Sequence, residues 1–141
     1  MKKILIINGP NLNMLGIREP AVYGNKTYAD LCDYIKEAAG RLGAEVDFFQ
    51  SNCEGEICTV IQKTLGVYDG IVMNPGAYAH YSYAIHDAIK SVTTPCVEVH
   101  ISDIHTREEF RRTSVTAPAC VSMISGHGFD SYIEGLEILV K

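Results

Sequence analysis

The chain has 141 residues, an ordinary globular composition and a formal net charge of -5. This length suits one domain spanning residues 1–141 around a single core. The acidic balance argues against a nucleic-acid binder, which carries a basic stripe, and no run approaches the ~18 apolar residues of a membrane span.

Lys2-Lys3 is followed by only a short apolar run, without the small-residue cleavage site of a signal peptide. Cys32, Cys53, Cys58, Cys96 and Cys120 are odd in number and contain no Cys-x-x-Cys spacing. Buried thiols in a reducing cytoplasm are the expectation.

The chain opens on an apolar strand, Lys3 to Ile7. Asn8 to Gly24, NGPNLNMLGIREPAVYG, is too rich in Asn, Gly and Pro for a helix and too long for a turn. Connections of this length in a compact domain are usually lids or binding loops. Thr27 and Asp30 then form a capping-box pattern. Leu31, Tyr34, Ile35, Ala38 and Leu42 recur at helical spacing up to Gly43. Strand two is Glu45 to Gln50. Ser51 and Glu54 suggest a second cap, with Ile57, Ile61 and Leu65 on one helix face before Gly66.

Strand three, Gly70 to Asn74, is apolar until its last residue, as a buried parallel strand is. Helix three carries Ala84, Ile85, Ala88 and Ile89. Pro95 opens strand four, Cys96 to His100. Thr106 and Glu109 predict a short fourth helix ending near Thr113. Strand five is Cys120 to Ser125, and Gly126-His127-Gly128 leads into a last helix with Ile133, Leu136, Leu139 and Val140. Five strands alternating with helices imply an α/β, doubly wound parallel sheet. Right-handed crossovers favour a flavodoxin-like three-layer sandwich of strand order 2-1-3-4-5.

In such a sheet, ligands bind beyond the carboxyl ends of the strands near the switch point. Those ends carry Asn8 to Asn11, Asn74-Pro75-Gly76, His100-Ile101-Ser102 and Gly126-His127. One histidine at a strand end is ordinarily structural; this many polar groups on one rim indicate a functional site. There is no P-loop and no dinucleotide fingerprint. His80, His86, Asp87, His100, Asp103 and His105 lack metal-ligand spacing. Lys26, Lys63 and Lys90 end no strand, which disfavours a Schiff base, and no Gly-x-Ser-x-Gly elbow is present. Acid–base chemistry without metal or cofactor remains. His100 is the candidate acid, Asn11 or Asn74 a polarising donor, and Tyr23, five positions after Arg18, the loop candidate for a base. Arg107, Arg111 and Arg112 read as a helix surface because Glu108 and Glu109 interrupt them. His127 reads as a structural hydrogen-bonding residue, and Tyr28 as core packing.

The stretches NGPNLNMLGIREPAVYG, NPGAYAHYS (Asn74 to Ser82), VEVHIS (Val97 to Ser102) and REEFRR (Arg107 to Arg112) occur in order. Through them the chain resembles the type II 3-dehydroquinate dehydratase family from end to end. The resemblance implies a cofactor-free hydro-lyase converting 3-dehydroquinate to 3-dehydroshikimate in the shikimate pathway, assembled as a dodecamer, a tetramer of trimers. It implies that Tyr23 removes the proton beside the ketone, Arg18 supports the tyrosinate, Asn11 attends the enolate oxygen and His100 protonates the departing hydroxyl. Asn74, His80, Ile101, Ser102 and Arg111 match substrate-binding positions. Asp87 matches an Asp that reaches a neighbouring subunit's site; family members often carry Arg just before it, where this chain has His86.

A tyrosine base needs a physical reason. Bringing a phenol from about 10 to near 7 takes roughly 4 kcal/mol. An exposed Arg–tyrosinate pair supplies about 1 kcal/mol at most, and burial alone shifts the phenol the wrong way. The pair must act where water is largely excluded. The other reading of the same rim is a non-catalytic module that binds a small carboxylate.

Overall fold

The computed structural model describes residues 1–17 and 25–141. Five strands, β1 (Lys3–Asn8), β2 (Glu45–Gln50), β3 (Gly70–Asn74), β4 (Cys96–His100) and β5 (Ser122–Ser125), form one sheet. Its order is β2-β1-β3-β4-β5 and every pairing is parallel, a flavodoxin-like arrangement. The helices are α1 (Tyr28–Arg41), α2 (Glu54–Gln62), α3 (Tyr83–Lys90) and α4 (Asp130–Val140).

Alternation along the strands explains the two cores. Ile4, Ile6, Val72, Val97 and Val99 face α1 and α4, where they meet Leu31, Ile35, Tyr132 and Leu136. Leu5, Ile7, Ile71 and Met73 face the other way, onto Ile57 and Ile61 of α2 and Ile85 and Ile89 of α3. Both faces are covered, so β1 and β3 read as unbroken apolar runs.

The Thr27 box is present: its hydroxyl accepts from the Asp30 amide at 3.1 Å and the Asp30 carboxylate accepts from the Thr27 amide at 2.9 Å. Such a cap is worth about 1 kcal/mol. The second cap differs from expectation. Cys53 occupies the N-cap of α2 without a side-chain bond. Ser51 lies two residues further out, accepts from the Cys53 amide at 2.9 Å and donates to Glu56. Leu65 lies beyond the end of α2 and is exposed. Tyr34, Leu42 and Ala84 are also exposed; Ala39 takes the place beside Ala38 in the buried stripe of α1.

The predicted fourth helix does not form. The β4–β5 crossover holds three 3-10 turns, Ile104–Thr106, Glu109–Arg111 and Ala117–Ala119. Between Ile104 and Val115 the only apolar residue is Phe110, itself exposed, so a helix here would have no stripe to bury. Asp103, not Thr106, caps the first turn, accepting from the His105 amide at 2.9 Å. β5 begins at Ser122, two residues later than expected.

Asn8 and Asn74 are register partners at the ends of β1 and β3. Their loops touch: the Gly9 amide donates to the Asn74 carbonyl at 2.8 Å. A Cβ on Gly9 would stand 2.4 Å from the Pro75 carbonyl oxygen, so only glycine permits this approach.

Candidate active site

The carboxyl ends of β1, β3 and β4 and the crossover after β4 enclose a cleft with about 500 Å³ of empty space, open solvent at its mouth included. Asn11, Asn74, His80, His100, Ile101, Ser102 and Arg111 all line it. Seven residues chosen from the sequence thus converge on one hollow. Tyr23 and Arg18 fall outside the described residues. Asp87 does not line the cleft; it is exposed on α3. His80 belongs to a 3-10 turn before Ser82 caps α3, so His80 and Asp87 share no helix face.

Asn11 is the one non-glycine at positive φ among the described residues, at 69°. Asparagine tolerates that conformation better than most residues. Its amide donates to the Asn52 side chain at 3.0 Å, which pins the turn.

Asn74 is held from behind. Its Oδ1 accepts from the Gly76 amide at 3.0 Å, and its Nδ2 donates to the Tyr132 hydroxyl at 3.1 Å. The Tyr132 hydroxyl in turn donates to Asn8 Oδ1 at 2.5 Å. Asn8 Nδ2 reaches the Tyr28 hydroxyl at 3.4 Å. Burial pushes the Tyr28 phenol up to about 12, so this tyrosine is no base at neutral pH. Burial likewise raises Tyr68, to about 12, and Tyr78, while Asp130 raises Tyr34.

His80 Nδ1 donates to the Thr113 carbonyl at 2.9 Å. Burial, with His100 and Arg111 nearby, holds its imidazole below the usual histidine value. Its ring stacks 6.4 Å from that of His100.

His100 brings a residue that the sequence reading missed. Glu98, with no solvent exposure, accepts from His100 Nε2 at 2.7 Å. The signal was available: an acid inside the apolar strand Cys96-Val97-Glu98-Val99-His100 shares a face with the residue two positions on. Arg107 is the second omission. It and Arg111 line the cleft rather than a helix surface. Arg107 Nη1 reaches Ser102 Oγ at 3.5 Å, and Arg111 Nε donates to Glu108. Two guanidiniums beside a strand-end turn suit a carboxylate. His127 Nδ1 meets Glu134 of α4 at 2.6 Å in an exposed hydrogen bond. Among the described residues no cluster of His, Cys, Asp and Glu could hold a metal, and no helix is long and apolar enough to cross a membrane.

An open parallel sheet with amides, imidazoles and guanidiniums lining a cleft at its switch point defines a flavodoxin-like α/β protein. The particular lineage follows from comparison: the chain matches Dehydroquinase class II over residues 2–140 and belongs to that family. It is 60% identical over 137 residues to the 3-dehydroquinate dehydratase of Clostridium acetobutylicum, covering 97% of this chain and 95% of that protein. The type II dehydroquinase of Butyrivibrio crossotus superposes with a TM-score of 0.97 at 51% identity, covering 99% of this chain and 98% of the other. The type II dehydroquinase of Propionibacterium acnes gives 0.95 at 40% identity, covering 99% and 97%.

Proposed function

We propose that the protein is a hydro-lyase that dehydrates 3-dehydroquinate to 3-dehydroshikimate in the shikimate pathway. The observation that carries this reading is the convergence of Asn11, Asn74, His80, His100 and Arg111 on one cleft in a member of the class II dehydroquinase family. Relatives at up to 60% identity are enzymes by name, which favours turnover over a binding-only module.

The chemistry is a trans elimination in two stages. Tyr23, as phenolate beside Arg18, takes the proton from the carbon between the ketone and the carbon bearing the hydroxyl. The C–H electrons move onto the ketone oxygen as an enol(ate), near Asn11 and an ordered water. The enolate then reforms the ketone and a C=C bond while the C–O bond breaks. His100 gives its proton to the departing hydroxyl, which leaves as water. A proton must then pass from Tyr23 to His100 to reset the pair. Arg111 and the turn at Ile101 and Ser102 receive the substrate carboxylate, and Asn74 and His80 its hydroxyl groups. No step requires a metal or cofactor.

One catalytic domain spans the chain. It acts in the cytoplasm as a dodecamer, a tetramer of trimers, in which the exposed Asp87 reaches a neighbouring subunit's cleft. His86 precedes it and is turned inward, its Nδ1 donating to the Val115 carbonyl at 2.7 Å. Incubation with 3-dehydroquinate tests the activity: mass spectrometry should find a product lighter by one water. An unchanged substrate with folded protein would remove the reading.

A further inference from the structure

We propose that Ser114 and Thr116 are positioning residues for the reaction: their hydroxyls clamp the Glu98 carboxylate and through it fix the orientation of His100. The proposal rests on the reading of His100 as the acid.

A fully buried carboxylate must have its oxygens met by donors. Glu98 has donors on both. Its Oε2 accepts from His100 Nε2 at 2.7 Å and from Ser114 Oγ at 2.6 Å, and its Oε1 accepts from Thr116 Oγ1. A carboxylate bound only to His100 could pivot about its own Cγ–Cδ bond. Hydroxyls on both oxygens remove that freedom, so one lone pair is presented to the imidazole in one direction. The proton shared with Glu98 then resides on Nε2, and the ring plane is fixed.

The segment that supplies these hydroxyls is itself anchored. The Ser114 hydroxyl accepts from the Ala117 amide at 3.0 Å, donates to Glu98 at 2.6 Å and lies 3.2 Å from the Thr116 hydroxyl. The Val115 amide donates to the Ala79 carbonyl at 2.7 Å. The carbonyls of Thr113 and Val115 accept from His80 and His86 at 2.9 and 2.7 Å. Hydroxyls from positions 114 and 116 therefore hold Glu98, while carbonyls from 113 and 115 hold His80 and His86. One short segment sets both imidazoles that meet across the cleft, His100 through Glu98 and His80 directly. Neither Ser114 nor Thr116 lines the cleft, so each acts through Glu98 and not on the substrate. Misplacing a reacting group by about 1 Å can cost about a hundredfold in rate, which makes such remote anchoring kinetically visible.

The test compares Thr116→Val, Ser114→Ala and Thr116→Ser with the unaltered protein and with His100→Asn. Each is checked for folding by circular dichroism and assayed for kcat and KM with 3-dehydroquinate. Thr116→Val keeps the shape and loses the donor; its kcat should fall about tenfold or more, with KM within about twofold. Ser114→Ala should follow in the same direction, and Thr116→Ser should restore kcat. Should Thr116→Val fail to fold, the half-buried Ser114→Ala decides alone. Folded Thr116→Val and Ser114→Ala with unchanged kcat, a rise confined to KM, or Thr116→Ser as poor as Thr116→Val would each overturn the clamp. If His100→Asn loses turnover while the clamp variants do not, only the clamp fails. If His100→Asn keeps full kcat, the clamp and the assignment of His100 fail together.

Discussion

His80 and His100 face each other with ring centroids 6.4 Å apart and planes inclined by 25°. The two rings reach this position from different elements, a 3-10 turn after β3 and the end of β4. Burial is the larger cause that disfavours a charge on His80, and the neighbouring His100 and Arg111 add to it. The unfolded imidazole takes up a proton near its reference value of about 6.5, the folded one only at lower pH. The unfolded chain therefore binds more protons as pH falls through and below about 6.5, and His80 costs the fold stability there. The melting temperature should drop between about pH 7.5 and about pH 5.5, and His80→Asn should flatten that dependence. An equal slope in both proteins would place the acid sensitivity elsewhere.

Tyr132 and Asn74 are coupled through one hydroxyl that also donates to Asn8. Tyr132→Phe would leave Asn8 Oδ1 and Asn74 Nδ2 without that partner in the core. An unmet buried group costs about 1–3 kcal/mol, so denaturant titration should show a loss of that order. Asn74, no longer braced, should also bind substrate less well and raise KM. Unchanged stability and KM would mean that the hydroxyl is replaceable, for example by water.

Tyr23→Phe should abolish turnover, by about a hundredfold to ten-thousandfold as for loss of a general base, while substrate binding by calorimetry stays largely intact. Arg18→Ala should reduce turnover and move the acidic limb of the pH–rate profile to higher pH, because the tyrosinate loses the charge that favours it. An unaltered limb would detach Arg18 from the base.

Borohydride added with substrate should leave the enzyme active, since enolate chemistry forms no imine to reduce. Irreversible inactivation dependent on substrate would point to a lysine instead.

The sheet was legible because β1 and β3 are buried on both faces, so their apolar runs are unbroken and bounded by polar strand ends, while β4 keeps the pattern with Glu98 alone interrupting it. Part of the candidate site was legible for a related reason: Asn74 and His100 stand where a strand ends. The crossover after β4 was not. Its Thr106 and Glu109 mimic a cap, but a cap signal without an apolar stripe does not make a helix. Glu98 was overlooked because a single acid in a β-strand reads as a solvent-facing position. Its partners, Ser114 and Thr116, are distant in sequence and look like loop residues. Register pairing of such contacts is tertiary information that no local pattern carries.

The most direct measurement follows the absorbance of the conjugated product after 3-dehydroquinate is added to protein treated with EDTA. The account predicts a steady rise at a rate that chelation does not reduce, and no rise with His100→Asn or Tyr23→Phe. Folded protein that forms no product, or activity lost to EDTA and restored by a divalent metal, would contradict it.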